Sequence, residues 1–481
     1  MSEIRVFHTH IEVYPYEIGQ VPSIERMLSK YDAPTHKVIP VGFFVQNDIL
    51  YLPRGFNTTI LEREFHATPT LVNKCDDFYK IKKGTATFKP KNIIQDNAIK
   101  FLCSEDEYAY TNRYSQFGLN LDTGDGKTYA TITSILKLKI RAIIITHQDT
   151  IKSQWMETLE KMTTFPIENA VNITGAEVMD KIMNGKVFGE IYFVNHQTIT
   201  SYAKAHGWNS IRDFFKKIKV GIKVIDESHK FFENTLMIDA FSNTFKTFYL
   251  TATFGRSDPS EAAIYKKAYN SMVRFGEETL NYEEKRKHIN FIVVYFNSRP
   301  EYGILPNIST GYGFSAYKYI DYELKHEPHG SLMKVVEQIL DQTSHMEGKT
   351  LIISPKKESV DYIANRVSEY TGKEVGTIYS DNSALTNQQN KQKEIISSTI
   401  KSLGEGADIK GLRILIDLEP VASKTLADQV RGRLREYSET DDTYLFYPVD
   451  MALPESYSLL KRITPVMKKK CKQIIYMKMN V

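Results

Sequence analysis

The chain has 481 residues, a hydrophobic content of 42%, a charged content of 25% and a formal net charge of +4. This length predicts two or three domains, and the composition is typical of a globular protein rather than a disordered one. No apolar run reaches the roughly 18 residues of a membrane span, the first residues lack a signal-peptide pattern, and the three cysteines lie far apart. We therefore expect a cytoplasmic protein with no membrane partner and no structural disulfide.

Residues 1–88 are predicted to form a small β-rich accessory domain. Two apolar runs, Val41–Val45 and Ile49–Leu52, flank the turn-prone stretch Gln46–Asp48 and therefore predict a hairpin. Nothing here indicates catalysis, and contact with nucleic acid by such an appended domain is the alternative hypothesis.

Residues 89–280 are predicted to form an αβ domain around a phosphate-binding loop with the sequence LDTGDGKT, residues 121–128. An apolar stretch precedes the loop, and apolar residues at helical spacing follow it, as expected for a strand, a loop and a helix N-terminus. Lys127 is suited to reach the β- and γ-phosphates, and the Thr128 hydroxyl to hold Mg²⁺. Leu121 departs from the usual pattern, which has a small residue at that position. The predicted nucleotide-binding residues of the loop are Thr123, Gly124, Asp125, Gly126, Lys127 and Thr128.

Four apolar runs in this domain predict buried parallel strands: Arg141–Thr146, Ile191–Val194, Val220–Ile225 and Phe245–Leu250. The third run is followed at once by an adjacent pair of acids, Asp226 and Glu227. Because ligands bind beyond the carboxyl ends of parallel strands, one acid is suited to the metal and the other to activating water.

Residues 281–481 are predicted to form a second αβ domain after a charged linker at 276–288. Strands are expected at Thr350–Ser354, Val375–Tyr379, Leu412–Leu418 and Tyr444–Tyr447. An arginine-rich stretch, QVRGRLR at residues 429–435, is suited to neutralising charge during phosphoryl transfer.

Two further stretches of the second half leave alternatives open. A tyrosine-rich segment at 299–330 either plugs the domain surface or stacks on bases. The lysine-rich tail from Lys461 to Lys472 is either a solvated helix face or a contact for phosphates.

The ordered set GDGKT, DESH, LTAT, GEGAD and QVRGRLR resembles the motifs of the superfamily 2 helicases, most closely the UvsW/XPB-like branch. The stretches around Gln95, Gln154–Trp155 and 193–198 also match, so the resemblance covers about residues 90–450. It implies an α/β fold of two tandem RecA-like parallel-sheet domains, with the small N-terminal accessory domain in front. The chain is rich in lysine, tyrosine and isoleucine, which suggests a phage or viral source and hence a host cytoplasm. The resemblance implies a setting in DNA repair, recombination or replication.

The resemblance implies a role for each residue that matches a motif. The residues implied to bind nucleotide are the loop residues above together with Gln95, which would contact adenine, Gly406 and Asp408. Thr128 and Asp226 would be the metal ligands, and Glu227 the catalytic base. Gln429, Arg433 and Arg435 would complete the catalytic site. Thr251, Ala252 and Thr253 would couple hydrolysis to strand movement, and Gln154 and Trp155 would contact nucleic acid.

Two departures affect these assignments. The family usually has its last arginine where this chain has Glu436, so Arg435, Arg433 or Arg431 remains open as the arginine finger. His147 stands where the strand-contacting motif usually has proline.

We therefore predict an ATP-dependent DNA helicase or translocase, an enzyme that uses ATP and Mg²⁺ and unwinds or remodels forked or branched DNA as a monomer. The predicted ATP site lies at the interface of the two RecA-like domains. The enzyme alternatives are an RNA-directed motor, for transcript release or RNA unwinding, and the motor subunit of a restriction complex. A nonhydrolysing clamp is a hypothesis from another class, and the intact Lys127, Asp226 and Glu227 argue against it.

Overall fold

The structure is a computed structural model that describes most of the chain. The described residues are 2–32, 35–72, 74–104, 115–121, 125–251, 259–275, 287–298, 308–310, 313–325, 331–379, 381–400, 402, 409–419, 427, 430–435, 437–438 and 440–481. The chain forms two compact units, Met1–Tyr282 and Glu283–Val481.

The first unit begins with a small, mostly antiparallel sheet. Its elements are β1 (Glu3–Val6), β2 (His10–Tyr14), α1 (Pro22–Met27), β3 (Ser29–Asp32), β4 (Lys37–Pro40), β5 (Phe44–Gln46), β6 (Ile49–Pro53), α2 (Thr58–Phe65) and β7 (Thr70–Leu71). Five strands form the sheet in the order β5-β6-β2-β1-β7, and β3 pairs with β4 separately. The predicted hairpin is confirmed as β5 and β6, which pair antiparallel.

This N-terminal sheet packs onto the αβ part of the same unit. Their buried side chains form one continuous hydrophobic cluster, in which Phe44 stacks on Phe241 at 5.6 Å between ring centroids. Arg212 donates to the Tyr51 hydroxyl at 3.0 Å. At Gly55 the backbones approach so closely that a Cβ would lie 2.4 Å from the Ala268 carbonyl oxygen. A side chain at Gly55 would therefore push the two parts away from each other.

The αβ part of the first unit alternates strands and helices as predicted. Its elements are α3 (Ile93–Cys103), β8 (Gln116–Asn120), α4 (Lys127–Leu138), β9 (Ala142–Thr146), α5 (Asp149–Met162), β10 (Ala170–Ile173), α6 (Ala176–Met183), β11 (Ile191–Asn195), α7 (His196–His206), α8 (Asn209–Ile218), β12 (Ile222–Ile225), α9 (Phe232–Ala240), β13 (Lys246–Thr251), α10 (Pro259–Ala268) and β14 (Val273–Phe275).

Its seven strands are all parallel and lie in the order β10-β11-β9-β12-β13-β8-β14. Alternate residues of β9 enter different clusters: Ile143 and Ile145 join one, and Ile144 joins the other. Because successive strand residues point to opposite faces, both faces of this sheet are covered, which explains the continuous apolar runs.

The second unit contains a second sheet of the same kind. Its elements are β15 (Ile289–Phe296), β16 (Ser309–Thr310), β17 (Gly313–Phe314), α11 (Ala316–Lys325), α12 (Ser331–Thr343), β18 (Lys349–Ile353), α13 (Lys357–Thr371), β19 (Val375–Ile378), α14 (Ala384–Asn390), β20 (Ile395–Ser398), β21 (Leu412–Asp417), β22 (Thr443–Asp450), α15 (Pro454–Lys470) and β23 (Gln473–Lys478). Seven parallel strands follow the order β19-β20-β18-β21-β22-β15-β23.

The predicted fold class, two tandem RecA-like parallel-sheet domains with a small N-terminal sheet, is confirmed. The domain boundaries at residues 88 and 280 remain predictions, and most of the predicted linker, 276–286, lies outside the described residues. Among the helices that the structure describes, none is long and apolar enough to cross a membrane.

The tyrosine-rich segment is described only at 308–310 and 313–325. There Tyr319 is 1% exposed and shares a small buried cluster with Ile308 and Leu453, whereas Tyr317 is 49% exposed. Tyr319 therefore plugs the surface of its own domain, and Tyr302 and Tyr312 lie outside the described residues.

Candidate nucleotide-binding and hydrolysis site

The phosphate loop connects β8 to α4, as predicted. Gly126 is the residue before the helix and has φ +82°, a left-handed conformation that glycine adopts without strain. Lys127 begins α4, and its Nζ donates to the Leu121 carbonyl oxygen at 2.7 Å. The Leu121 side chain is fully buried and fills the core, while its carbonyl oxygen accepts the hydrogen bond from Lys127.

Gln95 braces this loop from α3. Its Nε2 donates to the Asp125 carbonyl oxygen at 3.2 Å, and its Oε1 accepts from the Lys91 amide at 2.7 Å. A Cβ on Gly126 would lie only 1.9 Å from Gln95 Nε2. Gly126 is therefore required both by its backbone conformation and by the closeness of Gln95. The predicted contact of Gln95 with adenine remains a prediction.

The acid pair follows β12 at the carboxyl edge of the same sheet. The Asp226 amide donates to the Ile145 carbonyl oxygen at 2.9 Å, which fixes the backbone against β9. Both carboxylate oxygens of Asp226 accept hydrogen bonds, Oδ2 from Trp155 Nε1 at 2.8 Å and Oδ1 from the Glu227 amide at 3.0 Å. Asp226 is thus buried and held in one orientation.

Burial raises the pKa of the Asp226 carboxyl above its usual value, and the neighbouring Glu227 raises it further. The indole N–H of Trp155 and the positive charge of Lys127 act in the opposite direction and lower the pKa. The Lys127 ammonium is therefore near enough to influence Asp226, which links the loop electrostatically to the acid pair.

A hydrogen bond joins the acidic motif to the end of β13. His229 Nδ1 lies 2.8 Å from Thr251 Oγ1 and 3.4 Å from Glu227 Oε2. The Thr251 hydroxyl at the end of β13 is thus in contact with the acidic motif. The further role of Thr251 in coupling remains a prediction.

The two predicted nucleic-acid contacts on α5 differ in exposure. Gln154 is partly exposed, whereas Trp155 is 1% exposed. The Trp155 side chain therefore lies away from the surface on which we expected it to meet nucleic acid, because its ring packs in the core and its N–H points at Asp226.

A polar network holds the first turn of α5. Thr146 Oγ1 donates to Asn195 Oδ1 at 2.7 Å, and Asn195 Nδ2 donates to Asp149 Oδ1 at 2.8 Å. Lys152 Nζ lies 2.7 Å from the same Asp149 oxygen. These contacts fix the start of α5 to the carboxyl ends of β9 and β11. They were not predicted, since neither spacing nor residue type relates Asn195 to Asp149 in the sequence.

Two histidines, His147 and His196, have their rings near the Phe231 ring, shortly after the acidic motif in the chain. Burial lowers the pKa of His196 to about 3, with a smaller effect from His147. Burial also lowers the pKa of His147, and the charge of Lys230 acts in the same direction. Both imidazoles are therefore neutral at neutral pH.

Several predicted site residues lie outside the described residues: Thr123, Gly124, Ala252, Thr253, Gly406, Asp408 and Gln429. Of the arginines, Arg431 is buried, and Arg433 and Arg435 are partly exposed. They alternate with Val430 and Leu434, which belong to the core of the second unit. This core spacing holds the arginine stretch in place, and which arginine acts as the finger remains open.

The residues present fit a magnesium ion. Thr128, in the first turn of α4, offers a hydroxyl, and Asp226 offers a carboxylate that a buried indole N–H holds still. Oxygen donors of these two kinds are those that Mg²⁺ prefers. Thr128 and Asp226 are thus the residues that would hold the ion.

A family model described as "Type III restriction enzyme, res subunit" matches residues 88–256. These residues contain the loop, the acid pair and Thr251. No curated protein sequence matches the chain.

Two of the following three solved structures, the HsdR fragment and Dbp5, show the same fold. A fragment of a type I restriction enzyme HsdR subunit from Vibrio vulnificus is 14% identical, covers 80% of this chain and 68% of its own, and has a TM-score of 0.54. S. cerevisiae Dbp5 is 13% identical, covers 81% and 89%, and has a TM-score of 0.53. T4 UvsW is also 13% identical and covers 99% of both chains, with a TM-score of 0.37.

The matched family model and the tandem RecA-like fold agree with the helicase motifs of the sequence. They confirm the prediction of an enzyme of the ATP-dependent helicase kind, a nucleoside-triphosphate hydrolase that acts on nucleic acid.

Proposed function

We propose that the chain is an ATP-dependent DNA helicase or translocase that unwinds or remodels forked or branched DNA. One observation carries the proposal: the Lys127 loop follows β8 and the Asp226–Glu227 pair follows β12, both at the carboxyl edge of one parallel sheet. Ligands of open parallel sheets bind at this edge.

Each residue of the site has a chemical task in this proposal. Lys127 and the loop amides bind the phosphates, since free amides at a helix N-terminus attract anions. Thr128 and Asp226 hold Mg²⁺, which neutralises charge on the phosphates. Glu227 accepts the proton of the attacking water. Gln95 holds the loop through Asp125 and contacts adenine.

The second unit contributes positive charge in this proposal. Arg433 or Arg435 acts as the arginine finger that neutralises the transferred phosphoryl group, and Gln429 assists it. Alanine at the true finger should lower the hydrolysis rate by about 10³-fold or more, while alanine at the other arginine leaves it near wild type. If both variants hydrolyse ATP at rates near wild type, the finger is assigned to Arg431.

The choice of DNA rests on the motif set, which resembles that of the UvsW/XPB-like branch. The matched family model adds support, because it is that of a restriction-enzyme subunit. The same match makes the motor subunit of a restriction complex an alternative. RNA is the second candidate substrate, since Dbp5, which has this fold, is found bound to RNA and ADP BeF3.

The site is tested by two variants with matched controls. Lys127→Ala should abolish ATP hydrolysis, whereas Lys137→Ala, at the exposed far end of the same helix, should not. Glu227→Gln should keep nucleotide binding and lower turnover by about 10²–10⁴-fold, the usual contribution of a general base. Its control is Glu233→Gln on α9. Wild-type hydrolysis by Lys127→Ala would refute the proposed motor.

The substrate is tested by ATPase rates with single-stranded DNA, duplex, fork, four-way junction and RNA. The salt concentration must be fixed, because phosphate contacts make binding salt-dependent. Strongest stimulation by the fork or junction supports the proposal, and stimulation by RNA alone would refute the DNA assignment.

A further inference from the structure

The side chain of Trp155 connects α5 to the acid that we propose as a metal ligand. Its indole Nε1 donates to Asp226 Oδ2 at 2.8 Å, and the residue is 1% exposed. The other carboxylate oxygen is held by the Glu227 amide at 3.0 Å. Between them the two donors fix the plane of the carboxylate.

The indole is suited to this task for two reasons. The indole N–H can donate a hydrogen bond but cannot accept one, so it always offers a donor to the carboxylate. Ile151 and Leu159 also lie four residues before and four residues after Trp155 on the same face of α5, and all three belong to one buried cluster. Close packing prevents the ring from turning, so the N–H stays in place. Groups that hold a metal ligand in this way usually change metal affinity about 10–100-fold when they are removed.

The same helix reaches the predicted nucleic-acid surface. Gln154, the residue before Trp155, is partly exposed, and the first turn of α5 is tied through Asp149 and Asn195 to the ends of β9 and β11. A shift of α5 when a nucleic-acid strand binds would therefore move the indole N–H relative to Asp226.

We propose that Trp155 is a positioning residue, which aligns Asp226 for Mg²⁺ and links the nucleic-acid contact of α5 to the metal. The inference rests on the proposed function. Trp155 touches neither nucleotide nor nucleic acid in this role; it acts through Asp226.

The first experiment measures nucleotide binding rather than turnover. The affinity for the fluorescent nucleotide N-methylanthraniloyl-ADP is measured with and without MgCl₂, and the ratio gives the contribution of the metal. Trp155→Phe keeps an aromatic ring and removes the N–H. It should reduce this ratio about 10-fold or more and leave the affinity without Mg²⁺ unchanged.

Trp208→Phe is the matched control, because Trp208 is the other of the two tryptophans and stacks on Phe241 away from the acid pair. It should keep the wild-type ratio. In that variant Trp155 is the sole tryptophan, so its fluorescence should change when MgCl₂ is added to the protein with ADP, and change again with single-stranded DNA.

The outcomes separate the two proposals. If wild type binds no nucleotide, with or without Mg²⁺, the proposed function fails, and this inference fails with it. If wild type responds to Mg²⁺ and Trp155→Phe keeps the full ratio, only the inference is overturned. Should Trp155→Phe not fold, the fluorescence of Trp155 in Trp208→Phe decides: no response to MgCl₂ overturns the inference.

Discussion

Gly126 is the residue whose replacement best tests the geometry of the loop. In Gly126→Ala the new Cβ would lie 1.9 Å from Gln95 Nε2, well inside van der Waals contact. Gln95 would have to leave, and it would lose its hydrogen bonds with Asp125 and Lys91. Alanine would also have to hold φ +82°, which glycine adopts without strain.

The expected magnitude follows from these three losses. Each of the two hydrogen bonds contributes about 1 kcal/mol net, and the left-handed conformation costs alanine about 1 kcal/mol. The sum is about 3 kcal/mol, which corresponds to roughly 100-fold weaker nucleotide binding if the bound loop keeps its present shape. Gln95→Ala alone removes the two hydrogen bonds and should cost about 2 kcal/mol.

The assay is a double-mutant cycle on nucleotide affinity. With Gln95 already replaced, Gly126→Ala no longer meets a side chain and should cost only about 1 kcal/mol, so the two sites should couple by about 2 kcal/mol. Gly175→Ala is the control, because a Cβ there meets nothing within 4 Å and the backbone is extended. Strict additivity of Gly126→Ala and Gln95→Ala would refute the bracing of the loop by Gln95.

Two further predictions concern the surroundings of the acidic motif. Burial lowers the folded-state pKa of His196 to about 3, while the unfolded chain has the ordinary value near 6.5. Between these two pH values only the unfolded state binds the proton, so the free energy of unfolding falls as the pH falls from 6.5 towards 3. At pH 5 the loss that comes from His196 is about 2 kcal/mol. Unfolding in denaturant at pH 7 and pH 5 should therefore show a loss of stability that is smaller by about 2 kcal/mol in His196→Asn than in wild type and in the surface control His206→Asn. Thr251→Val removes the hydroxyl that contacts His229. It should leave basal ATP hydrolysis within a few-fold of wild type while the rate of strand separation falls. An unchanged ratio of unwinding rate to hydrolysis rate would contradict the coupling role.

The alternation of apolar runs was sufficient to predict both sheets. Strands buried on both faces read as continuous apolar segments, and these were found at β9, β11, β12, β13, β18 and β21. Some of the strands that were missed lie at the edge of a sheet. The edge strand β10 contains the exposed Asn172, and β23 is an edge strand flanked by lysines that led us to consider a helix face. The strands β15 and β20 were also missed, although each has a neighbour on both sides in the second sheet and β15 is an almost fully buried apolar run.

The site could be predicted from the sequence where its chemistry can be performed by only one or two residue types. The glycine and lysine of the loop and the adjacent acids are required by phosphate and metal chemistry, so their motif was informative. Contacts between distant segments were not predictable. The bond from Trp155 to Asp226 joins α5 to the end of β12, and Gln95 reaches the loop from α3. A motif gives the residue types of a site, while tertiary packing decides which of them face one another.

The backbone at Glu227 explains how two consecutive acids could serve the different tasks that we propose for them. Side chains of consecutive strand residues point to opposite faces, so an extended Asp-Glu pair could not converge on one ligand. Glu227 instead has φ +48°, which ends the strand, turns its amide onto Asp226 and brings its carboxylate to 3.4 Å from His229. Such a conformation is unfavourable for a residue with a side chain and persists where the surroundings impose it, often at functional sites. Asp226 is buried and held by Trp155, whereas Glu227 is only partly buried. Different environments give neighbouring carboxylates different roles, which supports the proposal that Asp226 holds the metal and Glu227 activates the water.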